Sequence, residues 1–155
     1  MGKVSITKEF SWNMAHLLAE HEGLCKNLHG HTYKMQIEVT RKEEDVIMSH
    51  ISSEGMVIDF KDLKQLVNVK IVEPLDHAFM YWINSPDLVE HEIAKILIKN
   101  GRKVAKVNYR TTAEEMAIDF FSILAKELLV INIELKCVKV WENPTSFAEV
   151  RGETI

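Results

Sequence analysis

Apolar and polar side chains alternate over two long stretches near the start of the chain. From Val4 to His16 the even positions read Val4, Ile6, Lys8, Phe10, Trp12, Met14, His16. From His29 to Val39 the odd positions read His29, His31, Tyr33, Met35, Ile37, Val39. Successive side chains of a strand point to opposite faces, so this period of two predicts two half-buried strands. A polar loop joins them, which predicts an antiparallel pair. Helical spacing follows. Asp59 is placed to cap a helix whose apolar positions are Phe60, Leu63, Leu66, Val67 and Ile71. Pro86 to Lys99 carries Leu88, Val89, Ile93, Ile96 and Leu97 and reads as a second helix, with Gly101 at the C-cap. Thr112-Ala113-Glu114-Glu115 has the form of a capping box, and Met116, Ala117, Phe120, Phe121, Leu124 and Leu128 mark a broad apolar face behind it. Ile133 to Glu142 and Ser146 to Arg151 read as strands joined by a turn at Asn143-Pro144.

With the short Val104–Tyr109 segment set aside, the order is strand, strand, helix, helix, helix, strand, strand. That order predicts an α+β fold, an antiparallel sheet with its helices gathered on one face. Glu20–Asn27, Arg41–Gly55 and the segment from Asn84 read as exposed connections. No repeat or linker divides the chain, so residues 1–155 read as one domain.

Composition works mainly by exclusion. With 155 residues, 46% of them hydrophobic, the chain is long enough to bury a substantial core. Lys and Arg number 19 against 23 Asp and Glu, a net charge of −4, and a nucleic-acid-coating protein would carry a basic stripe instead. No apolar run is long enough to span a membrane, and the N-terminus lacks the apolar core of a signal peptide. Two cysteines do not make a disulfide framework. The expected compartment is the cytoplasm, with both thiols reduced.

The chemistry begins at His29-Gly30-His31. Residues two apart in a strand face the same way, so both imidazoles can converge on one ion. His16 ends the first strand in register with its apolar side and can supply a third nitrogen if the strands pair. Three neutral histidines with an open fourth position describe a catalytic zinc site. The plainer alternative is a surface His-Gly-His with a core histidine. Cys25, in a polar loop four residues before His29, reads either as a fourth zinc ligand or as a thiolate base beside the metal. Cys137, on an apolar strand, reads as core. In Asp76-His77 a carboxylate would fix the tautomer of a histidine, although side chains of sequence neighbours ordinarily diverge. Glu142 ends its strand and can grip a flat two-donor edge bidentately. His21, His50 and His91 read as surface histidines. There is no Walker A sequence, no Gly-x-Gly-x-x-Gly and no Gly-x-Ser-x-Gly.

Taken together the motifs resemble a known family. Phe10-Ser11 with His16, Cys25-x-x-x-His29-Gly30-His31-Thr32-Tyr33, Asp59-Phe60-x-x-Leu63-Lys64, Leu75-Asp76-His77, Thr112-Ala113-Glu114, Trp141-Glu142 and Arg151-Gly152-Glu153 are similar to the 6-pyruvoyltetrahydropterin synthase and 6-carboxytetrahydropterin synthase family. The three residues between Cys25 and His29 resemble the 6-carboxytetrahydropterin branch, where the 6-pyruvoyl branch typically has five. The resemblance implies the T-fold, or tunnelling fold: a four-stranded antiparallel sheet with two principal helices on one face, here with the Pro86 helix as an insertion. It implies assembly through sheet edges, commonly as a homo-hexamer made of two trimers, with sites between subunits. It implies Zn²⁺ on His16, His29 and His31, and 7,8-dihydroneopterin triphosphate as substrate. Cys25, supplied across the subunit interface, would be the general base, with Asp76 and His77 as a relay beside it. Glu142 would anchor the pterin edge and Thr112 would add backbone donors. The products would be 6-carboxy-5,6,7,8-tetrahydropterin, acetaldehyde and triphosphate, on the way to queuosine. The rivals are 6-pyruvoyltetrahydropterin formation and a non-catalytic zinc-binding module. Neither nucleic acid nor a membrane is an expected partner.

Overall fold

The structure is a computed structural model that describes residues 2–153. Its strands are β1 (Ile6–His16), β2 (His29–Arg41), β3 (Phe79–Trp82), β4 (Val104–Val107), β5 (Ile133–Asn143) and β6 (Ser146–Arg151). Its helices are α1 (Phe60–Val67), α2 (Glu73–Leu75), α3 (Leu88–Lys99) and α4 (Ala113–Val130). The strands form one sheet in the order β4-β3-β1-β2-β5-β6.

The alternating stretches pair as expected. β1 and β2 run antiparallel from Ile6 opposite Val39 to His16 opposite His29. Along β1, Phe10, Trp12, Met14 and His16 are buried while Thr7, Glu9, Ser11 and Asn13 are exposed. The buried faces of β1, β2 and β5 meet α1 and α4 in one core. Trp12 stacks on Tyr33 at 5.7 Å between ring centroids and meets Phe120 of α4 edge-on at 6.0 Å. The caps are where the sequence places them: Asp59 Oδ1 accepts the Lys61 N–H at 2.9 Å, and Thr112 Oγ1 accepts the Glu115 N–H at 3.2 Å. Gly101, at φ 68°, ends α3 in a left-handed turn closed by Arg102 N–H to Leu97 C=O at 2.8 Å.

Three expectations are corrected. The sheet has six strands, not four, and it is mixed: β3 runs parallel to β1 and to β4. The four antiparallel strands are all there, in the order β1-β2-β5-β6. β3 escapes the pattern because it is only four residues long and is covered on both sides, so Phe79 and Met80 are buried in succession. Nor do all helices lie on one face. Met80, Ala105 and Val107 join the core, whereas Tyr81 and Lys106, pointing the other way, line a groove with α3. Finally, the helix from Phe60 does not run unbroken through Ile71. It widens into a π-helical turn over Asn68–Val72 before α2. Pro74 has no N–H to return to the preceding turn and its ring excludes that carbonyl, which accounts for the widening.

α3 also buries an unexpected side chain. Leu88, Val89 and Ile96 are exposed, while Glu90 is 1% exposed and accepts the Trp82 N–H at 2.7 Å. Burial, only partly opposed by the Trp82 and Ser85 hydrogen bonds, raises the Glu90 carboxyl above its ordinary value of 4.5. The folded chain therefore holds this proton more tightly than the unfolded chain, and stability falls as pH rises above that ordinary value. Glu90→Gln keeps an acceptor for Trp82 without the charge. Its melting temperature relative to the parent is expected to climb between about pH 5 and about pH 8. A flat difference in thermal melts across that range would contradict this.

Candidate functional site

The open end of the β1–β2 pair carries the site. His16 faces the core with Met14, and His29 and His31 face it with Tyr33, so strand register alone brings three rings to one place. Ring centroids are 4.8 Å apart for His16 and His29, 5.2 Å for His16 and His31, and 4.8 Å for His29 and His31. One nitrogen from each lies within 4.8 Å of the others.

The surrounding hydrogen bonds fix which nitrogen is free. His16 Nδ1 meets the Thr111 C=O at 2.8 Å, and His29 Nδ1 meets the Asn27 C=O at 2.7 Å. A carbonyl only accepts, so each Nδ1 carries a proton and Nε2 is the nitrogen each ring turns toward the others. The Nε2 atoms of His29 and His31 are buried with no hydrogen-bond partner. Buried polar atoms are seldom left so. A divalent cation among the three rings would satisfy them, and carbonyl-held imidazoles are the usual supporting arrangement for one. The donor set therefore fits zinc.

Glu142 and Tyr33 complete the cluster. Glu142 Oε1 lies 3.3 Å from His16 Nε2 and 3.5 Å from His31 Nε2. Tyr33 Oη lies 3.4 Å from His16 Nε2. Contact with His16 holds the Glu142 carboxyl below its usual range, against the opposing effect of burial. Burial, more than the neighbouring rings, makes His31 harder to protonate, with Glu142 opposing. Burial also keeps the Tyr33 phenol protonated. An ionised carboxylate beside three converging imidazoles, one of them made harder to protonate, is an electrostatic setting that a dication favours.

Glu142 and Thr112 share a cavity of about 160 Å³ between the start of α4 and the β5–β6 hairpin, with Ser146 and Phe147 on its far side. One carboxylate thus looks toward the imidazoles and into a pocket at a helix N-terminus.

The other expected residues lie elsewhere in the protomer. Cys25 is half-buried in a single 3-10 turn, Leu24–Lys26, and its thiol stands outside the imidazole cluster. Asp76 and His77 follow α2 and do touch each other, Oδ1 to Nδ1 at 3.0 Å. The expected divergence fails because His77 is in the left-handed region, φ 63°, which folds its ring back over its neighbour. Asp76 Oδ1 also accepts the Asn13 N–H at 3.0 Å, the main reason its carboxyl lies below the usual range. His77 borders a cavity of about 410 Å³ with Asn13, Gly30, His31 and Thr32. Neither Asp76 nor His77 is among the groups that converge with His16, His29 and His31 within one protomer. Cys137 is buried as expected. Thr111 is a supporting residue that sequence reasoning missed, its one signal being its place just before the α4 cap.

The 6-pyruvoyl tetrahydropterin synthase family model matches residues 5–153. The chain is 44% identical to the 6-carboxy-5,6,7,8-tetrahydropterin synthase of Haemophilus influenzae over 93% of this chain and 96% of that protein. It is 27% identical to the enzyme of that name from Rickettsia conorii, over 95% of this chain and 99% of that one. Among solved structures, an uncharacterized Wolinella succinogenes protein superposes with a TM-score of 0.77 at 22% identity, covering 97% of this chain and 98% of that one. The Plasmodium falciparum 6-pyruvoyl tetrahydropterin synthase does so with a TM-score of 0.68 at 24% identity, with the same coverage. These likenesses show the shared fold, and with the near full-length model match the chain belongs to the 6-pyruvoyl tetrahydropterin synthase family.

Proposed function

We propose that the chain acts as a zinc-dependent 6-carboxy-5,6,7,8-tetrahydropterin synthase. It would convert 7,8-dihydroneopterin triphosphate to 6-carboxytetrahydropterin, acetaldehyde and triphosphate, a carbon–carbon lyase reaction toward queuosine. The observation that carries this reading is the pair of buried, unpartnered Nε2 atoms on His29 and His31, beside His16 and the Glu142 pocket. The Haemophilus influenzae relative's name supports the 6-carboxy product.

Zinc on His16, His29 and His31 would supply Lewis-acid polarisation of substrate side-chain oxygens. The chain's own groups do the rest. Glu142 accepts two hydrogen bonds from the flat amino-pyrimidinone edge, and the backbone N–H groups of Ala113 and Glu114, just after the Thr112 cap, add donors at the pocket wall. Cys25 Sγ takes a proton from a substrate C–H or O–H. His77, its Nδ1 held by Asp76, presents Nε2 to carry that proton onward.

One protomer does not place that relay beside its own imidazoles, and its sheet leaves edges open. β1 meets β3 only at Ala15–Phe79, with Asn13 held beside it by Asp76 and His77, so among the described residues that side of β1 before Asn13 is unpaired, as is the outer side of β6. Edges of this length favour pairing with another copy. A homo-hexamer of two trimers, with Asp76 and His77 serving a neighbour's site, fits both facts.

Incubating zinc-loaded protein with 7,8-dihydroneopterin triphosphate and identifying the products tests the reading. Acetaldehyde with 6-carboxytetrahydropterin is expected, whereas a 6-pyruvoyl product without acetaldehyde would overturn it. The proximity of Glu142 to two Nε2 atoms favours one alternative, a closed zinc staple with Glu142 as fourth ligand. Glu142→Ala separates the two. Our reading predicts at least about tenfold weaker pterin binding with zinc retained, since two charge-assisted hydrogen bonds are lost. Loss of zinc with unchanged pterin affinity would identify the staple.

A further inference from the structure

α3 takes no part in the site described above, yet it borders a sizeable groove of its own. Between α3 and the outward face of β3–β4 lies a cavity of about 540 Å³, on the scale of about 300–1,000 Å³ typical of small-ligand pockets. Its floor is apolar, made by Ile83 beyond β3 and by Ala94 and Ile98, four residues apart on one side of α3. Its rim is cationic. Lys95 and Lys99 come from α3, and Lys106 comes from β4, where it stands opposite Tyr81. The lysines ion-paired among the described residues are Lys34, Lys70 and Lys136, so these three ammonium groups have no carboxylate partner.

The end wall is fixed by hydrogen bonds. His91 Nε2 meets the Ser85 C=O at 2.6 Å, and His91 Nδ1 is bonded to the Tyr81 hydroxyl. The carbonyl requires the proton on Nε2, so Nδ1 accepts and Tyr81 donates. His91 is thus part-buried and engaged rather than the free surface histidine that its sequence context suggests. Apolar floor, unpaired cationic rim and a pinned polar wall together describe a pocket with an orientation. A ligand's charged end belongs at the lysines and its apolar body against Ala94 and Ile98.

We propose that this groove binds a small organic anion, a carboxylate or phosphate monoester with an apolar body. The site is separate from the imidazole cluster and lies on the other face of the sheet. The full-length zinc-loaded protein is titrated with 8-anilino-1-naphthalenesulfonate, followed by fluorescence, and the dye is then displaced. Octanoate and octyl phosphate represent the two head groups. Acetate and inorganic phosphate carry the head alone, and octan-1-ol the body alone. Octanoate or octyl phosphate, or both, should displace the dye at least about tenfold more effectively than any of the partial probes. The stronger of the two identifies the head group. Lys95→Glu with Lys99→Glu, and separately Ile98→Glu, should each weaken the stronger amphipath at least about tenfold while turnover and melting temperature stay at parental values. The surface pair alters no packing, so it remains informative if Ile98→Glu fails to fold. Octanol matching octanoate and octyl phosphate, or undiminished binding by a folded lysine variant, would overturn the assignment.

Discussion

Replacing His29 with alanine should release the metal and end turnover together, while the fold survives. His29 is the right ring to remove because it sits at the mouth of the site, half-buried, whereas His16 is fully buried and tied to Thr111. Loss of His16 would confound metal loss with core damage. Without His29, two imidazoles remain, too few for the three-ligand set of a catalytic zinc site. Losing even an outer-shell partner typically costs about 10–100-fold in metal affinity, and losing a ligand should exceed that. Zinc per protomer after dialysis, far-ultraviolet circular dichroism and product formation are the measurements. A His29→Ala protein that kept zinc and activity would place the metal elsewhere.

Cys25→Ala should behave in the opposite way toward the metal. Zinc stays bound and turnover falls by about 10²–10⁴-fold, the usual worth of a positioned general base. The geometry favours this over the ligand alternative, because the thiol stands outside the imidazole cluster in a separate 3-10 turn. Pterin affinity should change little, since Glu142 and Thr112 line the proposed pterin pocket without it. If zinc is lost from Cys25→Ala, the thiol is a structural ligand and the catalytic reading fails.

Much of the site was legible because strand physics is simple. A period of two assigns side chains to faces, so His16, His29 and His31 were bound to share a face once β1 and β2 paired. The capping box at Thr112 was equally local. Glu142 was readable only as a strand-terminal acid, since its approach to His16 depends on β2 and β5 pairing across a long span of sequence. β3 was not readable, because burial on both sides erases alternation. The Asp76–His77 contact was hidden for another reason. The left-handed turn that makes it is occupied by histidine rather than glycine or asparagine, and surrounding contacts enforce it: Lys103 Nζ donates to the Asp76 C=O at 2.6 Å, and the His77 N–H to the Asn13 C=O at 2.7 Å. α3 misled on its buried face, since its exposed Leu88 and Ile96 advertise a core that Glu90 and Ala94 enter instead.

X-ray absorption at the zinc edge of the metal-loaded protein tests the three-imidazole centre most directly. The account predicts three imidazole nitrogens at about 2.0–2.1 Å, a light-atom contribution from solvent in the remaining position, and no sulfur. A sulfur shell near about 2.3 Å, or fewer than three imidazoles around the ion, would contradict it.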